Sequence, residues 1–268
     1  MMKHKSYRII LMFAALLFAV ASCNDDDNTP SKSSDSDVIA SVSQTLKMQN
    51  SVNDVALNSK ESLAGFSLVK TFHQDSCPKV IYDINSLDSL ILDFGVDSCE
   101  WYNGQYFSGR IILVLDTTMM GEVEIIFENF CSQDFCLNGE YSLDFGDSDF
   151  SMDFEDQVFT DEDGNEYTYS ADFSYSLLSD GGTPDDFSDD QYEITGSSSG
   201  MDSEGNAFTF EIVSALLLDL GCETPEVTSG IAVFRMEGQS DVTVDYGDGT
   251  CDQEVVVTVD GVEKAVNM

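Results

Sequence analysis

The chain has 268 residues, with 50 acidic side chains against 11 basic ones, two histidines and seven cysteines. A field this negative repels phosphates and anionic lipid headgroups, which excludes nucleic-acid binding and charge-driven docking on a bilayer. Apolar residues at 42% and aromatics at 11% still supply material for a packed core, so the charge does not imply a disordered chain.

In chain order, Lys3, His4, Lys5 and Arg8 form a positive start, and Ile9 to Val20 is an apolar run of 12 residues. That run is too short to span a bilayer, so residues 1–22 read as a secretion signal. The stretch Val20-Ala21-Ser22-Cys23 resembles a bacterial lipobox. The resemblance implies cleavage before Cys23 and diacylglycerol on its thiol, which makes the membrane a partner through lipid alone. Ordinary signal cleavage beside an incidental cysteine is the alternative. The acidic run Asn24-Asp25-Asp26-Asp27-Asn28 follows. A lipobox cysteine and then acids resembles the export signal of Bacteroidota surface lipoproteins, which implies an outer-membrane location facing the exterior. A solvated spacer is the plainer reading. Residues 23–37 are then lipid anchor and flexible acidic tether.

Residues 38–64 form the one helix candidate. Val38, Val42, Thr45, Leu46, Val52, Val55 and Ala56 recur at helical spacing, Ser36 or Asp37 can cap the start, and Gly65 can stop it. Its apolar face is narrow, so the expectation is a helix that packs weakly on the main domain or acts as a stalk.

From residue 65 to residue 268 the period is two. Tyr167, Tyr169, Ala171, Phe173, Tyr175 and Leu177 alternate with polar neighbours, a half-buried strand with one wet face. Val123–Phe127, Tyr141–Phe145, Phe150–Phe154, Phe208–Ile212, Val242–Tyr246 and Val255–Val259 repeat the pattern, while Ile111–Leu115 is apolar on both faces. Asn138-Gly139, Asp163-Gly164-Asn165, Glu204-Gly205-Asn206 and Asp260-Gly261 are hairpin chemistry. Roughly a dozen strands joined by short turns predict an all-β domain, its antiparallel sheets forming a sandwich or a partly open barrel. Ser179 to Asp190 is the longest polar loop.

A weak repeat links Leu90–Gly95 before Cys99, Val242–Gly247 before Cys251, and Leu143–Gly146. Each copy reads as a strand running into an Asp/Gly turn, with a repeated ion or ligand loop as the functional alternative. The alternating strands and the late segment Asp245-Tyr246-Gly247-Asp248-Gly249-Thr250-Cys251-Asp252 resemble β-rich lipoproteins of the same bacterial group, a family to which no activity is attached.

Beyond Cys23 an even set remains: Cys77, Cys99, Cys131, Cys136, Cys222 and Cys251. In an exported chain an even set points to disulfides, and the repeat favours Cys77–Cys99, Cys131–Cys136 and Cys222–Cys251. Zinc is the alternative, without the CxxC pairs it usually takes. His73 is the sole histidine after the signal, a poor basis for a triad. Trp101, Tyr102, Tyr106 and Phe107 surround the Asn103-Gly104 turn and suggest a glycan-stacking patch, with cross-strand packing as the plainer reading. Calcium is the one cofactor considered. Asp161 and Asp163, then Asp245, Asp248 and Asp252, place dense oxygens on turns, although neither segment fits an EF-hand and hydrated turn acids are the plainer reading.

The sequence therefore favours a lipid-anchored surface protein acting as a non-catalytic binding or structural module, with a glycan or protein partner at the cell surface. A carbohydrate-active enzyme using paired carboxylates and a carrier with an apolar interior are the alternatives.

Overall fold

A computed structural model describes residues 35–67, 77–82, 88–100, 106–115, 121–132, 134–146, 149–183 and 187–267. The signal, Cys23, His73, Trp101 and Tyr102 lie outside them. The elements are α1 (Asp35–Ser67), β1 (Lys79–Tyr82), β2 (Ser89–Glu100), β3 (Tyr106–Leu115), β4 (Glu122–Cys131), β5 (Phe135–Phe145), β6 (Phe150–Asp161) and β7 (Glu166–Ser179). A 3-10 turn at Phe187–Asp189 leads into β8 (Gln191–Met201), β9 (Ala207–Asp219), β10 (Glu226–Met236), β11 (Val242–Asp248), β12 (Glu254–Val259) and β13 (Val262–Asn267).

All 13 strands lie in one sheet in chain order, each antiparallel to its sequence neighbours, and the sheet does not close into a barrel. Short connections favour this meander, since most are two to six residues and return the chain beside the strand it left; the β7–β8 loop, residues 180–190, is the long exception. The period-two pattern sets which face is dry. On β7, Tyr167, Tyr169, Ala171, Phe173 and Tyr175 are buried, while Asp172 and Ser174 between them are exposed. Ile111–Leu115 reads as apolar on both faces because its outward Ile112 sits in an aliphatic row with Ile91 and Ile126.

One sheet cannot bury its apolar face against itself, and the layer that covers it is α1. The expectation of a weakly packed helix or stalk is corrected here. Val38, Val42, Leu46, Met48, Val52, Val55 and Ala56 are at most 3% exposed and belong to the same core cluster as the inward residues of the sheet. The polar Thr45, Gln49, Ser51, Asn53 and Ser59 are buried with them. Together these positions sweep about 220° of the helix at 100° per residue. The face looked narrow because buried polar residues do not register in a count of apolar ones. Tyrosines reaching in from the strands meet two of the amide oxygens: Tyr246 Oη donates to Gln49 Oε1 at 2.9 Å and Tyr175 Oη to Asn53 Oδ1 at 2.7 Å, while Thr45 Oγ1 donates back to Ser41 O at 3.0 Å. The helix also begins at Asp35 and ends at Ser67, so the last tether residues form its first turn.

The sheet bends around the helix through bulges in its long strands. Register shifts fall at Asp93/Gly95, Ser108/Arg110, Phe154/Gln157, Ile194/Ser197 and Ser229/Ile231. Bulges bend a strand and raise its twist. Gly109, at φ 81°, is one position that demands glycine, because a Cβ there would meet Asn129 O at 2.0 Å. Two repeat copies are part of this device rather than turns at strand ends. Gly95 and Gly247 lie inside β2 and β11, each donating its N–H to the aspartate two residues back, at 3.0 and 2.9 Å. The third copy differs, Gly146 N donating to Asp149 O.

The six cysteines form Cys77–Cys99, Cys131–Cys136 and Cys222–Cys251. The last ties the β9–β10 loop to the β11–β12 loop.

Candidate functional site

The outward face of the sheet carries a groove of about 480 Å³ across β6 to β10. It arises from side-chain size. The middle strands present short side chains, Ser170, Ser197, Ser199 and Thr209, and these form a floor. Asp153 and Glu155 on β6 stand along one wall, and Glu211 and Arg235 on β9 and β10 along the other. Register explains the alignment: Asp153 faces Asp172, Asp172 faces Ser197, and Ser197 faces Glu211 across successive strand pairs. Arg235 is already engaged, its Nη1 donating to Glu211 Oε2 at 2.8 Å and its Nε to Asp241 Oδ2 at 3.2 Å. The groove therefore offers carboxylate acceptors and hydroxyls that both donate and accept. It suits a ligand rich in O–H or N–H groups and disfavours an anion.

At the end of the sheet where β7 meets β8, a second polar group is buried. Lys60, near the C-terminal end of α1, donates to Tyr192 Oη, and Tyr192 Oη donates to Asp190 Oδ2 at 2.6 Å. Burial lowers the Lys60 pKa, with the Asp190 and Asp149 charges opposing it. Burial raises that of Asp190, against the Tyr192 hydrogen bond and the Lys60 charge. Sequence reasoning missed this group. The available signal was spacing: Gln49, Asn53 and Lys60 share one helical face with Val42 and Leu46.

The turn acids considered for calcium are engaged within their own loops. Asp161 Oδ1 accepts Asp163 N at 3.0 Å and Asn165 N at 2.8 Å, and Oδ2 accepts Asn165 Nδ2 at 2.9 Å and Tyr167 Oη at 3.1 Å. The Asn165 side chain is the first cause of a lowered Asp161 pKa. Asp163 is exposed. The β8–β9 turn repeats the device, Asp202 accepting from Glu204 N, Asn206 N and Asn206 Nδ2. The density of acids at these tips thus has a local cause: an aspartate closes each turn by capping its N–H groups. In the third loop Asp245 accepts Gly247 N, and Thr250 Oγ1 lies 3.2 Å from both Asp248 Oδ1 and Asp252 Oδ2. Asp219, Cys222 and Cys251 also converge, but the two sulfurs are bonded to each other and offer no thiolate.

The structure separates the described members of the aromatic patch. Tyr106 is 47% exposed, with its Oη 3.3 Å from Glu100 Oε2. Phe107 is buried and stacks on Phe130 at 5.5 Å. Adjacent residues of a strand point to opposite faces, so this pair cannot form one platform.

No protein-family model, curated protein or solved structure matches the chain.

Proposed function

We propose that the chain is a lipid-anchored cell-surface protein whose folded part is a non-catalytic binding module, taking a neutral, hydroxyl-rich glycan in the outward groove. The groove chemistry carries this reading: hydroxyls and carboxylates aligned across β6 to β10, in a field that repels anions. The acids whose pKa is raised, Asp190 and Glu226, stand outside the groove, which argues for binding rather than acid–base chemistry there. The filled interior supports the same choice, since α1 occupies the space an apolar cargo would need. No helix among the described residues is long and apolar enough to cross a membrane, so the proposed attachment rests on Cys23.

Two measurements test it. Fatty-acid labelling of the expressed chain should mark the wild type and not Cys23→Ser, and protease applied to intact cells should release the β domain. Purified residues 24–268 should bind members of a neutral polysaccharide panel saturably, and Ser197→Trp with Ser199→Trp should abolish that binding without lowering the melting temperature. Turnover of any glycan, lost on removing Asp153 or Glu211, would replace this reading with the hydrolase alternative.

A further inference from the structure

Lys60 Nζ lies over three aromatic rings at once: 4.4 Å from the centroid of Tyr192, 5.2 Å from Phe150 and 5.7 Å from Phe187. The Phe150 and Phe187 distances fall within the range in which a ring face attracts a cation, while Tyr192 meets the ammonium at its hydroxyl, to which Nζ donates. Behind the rings stands Asp190, itself 2% exposed and held by the Tyr192 hydroxyl. The other acids whose charge reaches the group are Asp149 from the β5–β6 loop and Asp180 and Asp189 from the β7–β8 loop. Rings around a nitrogen with a buried carboxylate behind form a receptor for an ammonium ion.

The walls do not depend on the lysine. Phe150 stacks on Tyr175 at 4.3 Å and meets Tyr192 edge-on at 5.7 Å, and both of those tyrosines are core residues. Leu220 N donates to Asp190 O at 3.0 Å and pins that backbone to the next hairpin. The sheet and its loops thus build the cage, while the ion comes from a different element, α1. A latch that only held the helix down would be served as well by a methionine, with no charge to desolvate. Only a cation draws on ring faces and carboxylate together.

We propose that Phe150, Phe187, Tyr192 and Asp190 form a binding site for organic ammonium ions, which Lys60 fills as a built-in ligand. The structure is then the self-occupied state, and a primary or quaternary ammonium compound competes with the end of α1. Lys60 is only partly buried, so the volume it vacates reaches solvent.

The test uses residues 24–268 carrying Lys60→Ala, titrated with n-butylammonium chloride and followed by melting temperature and aromatic NMR shifts. n-Butanol and sodium chloride serve as controls. The expected result is saturable binding in the millimolar range, on the order of what a few cation–π contacts supply. It should be at least tenfold weaker in the wild type, where Lys60 competes, and absent in Lys60→Met, whose side chain fills the cage. If Lys60→Ala does not fold alone, refolding in n-butylammonium should restore soluble protein where n-butanol does not. No saturation in Lys60→Ala beyond the two controls, equal binding by wild type and variant, or equal rescue by n-butanol would overturn the proposal.

Discussion

Asp161 and Asp190 stand at opposite ends of β7, and the same side chain behaves oppositely in the two places. At the β6–β7 turn Asp161 accepts four hydrogen bonds at the surface, and its pKa falls below 3.8. At the β7–β8 end Asp190 is buried and accepts from the Tyr192 hydroxyl, and its pKa rises above 3.8. Donors favour the charged form and desolvation disfavours it. In a chain with 50 acids, the informative ones are those whose surroundings differ from water, and both of these do.

Two experiments press on that difference, and one between them on the buried polar pairs of α1. The largest effect belongs to Asp190→Ala, which leaves the Tyr192 hydroxyl and the half-buried Lys60 ammonium without their carboxylate. A loss of about 2–4 kcal/mol is expected, read as a lower urea midpoint with unchanged slope. A midpoint equal to the wild type would mean that Asp149 takes over the cation. Next comes Asn53→Leu, which strands the buried Tyr175 hydroxyl and should cost about 1–2 kcal/mol. Adding Tyr175→Phe should recover most of it, and a double-mutant cycle measures the coupling. Additive losses would show that the pair does not act as a unit.

The smallest effect is a pair of opposed pH slopes, obtained from urea midpoints between about pH 3 and pH 7. The folded pKa of Asp161 lies below the unfolded one, so its contribution is complete above the unfolded value and is lost as pH falls through the folded value. Asp161→Asn should therefore be less stable than the wild type near neutrality, and the gap should close in acid. The folded pKa of Asp190 lies above 3.8, so the folded state holds the extra proton, and stability drains away as pH rises through that window. Asp190→Asn should gain on the wild type over the same rise. Slopes of the same sign would erase the contrast.

Much of the fold was legible because its causes are local. Alternation in Tyr167–Tyr175 marks a strand with one dry face whatever lies beyond it, and Asp163-Gly164-Asn165 marks a hairpin tip. The pairing of Cys99 and Cys251 with upstream cysteines followed from a repeat visible in the letters. The burial of α1 was not legible, because its polar positions become core residues only through distant partners. Asn53 and Tyr175 are 122 residues apart, and Gln49 and Tyr246 are 197 apart. Lys60 was hidden for the same reason: its partner Tyr192 lies 132 residues downstream. The groove also escaped notice, since it depends on which strands lie side by side, and four small outward residues on three strands carry no pattern along any one of them.

The meander also permits a stepwise assembly. Every strand pairs with a neighbour in the chain, so the sheet can grow hairpin by hairpin with short loop closures. The helix precedes the sheet in the chain, yet it is sealed only when β11 delivers Tyr246 to Gln49. Until then a half-built apolar trough is open, and the acidic outward residues, already in place on each finished hairpin, hold such intermediates apart from one another.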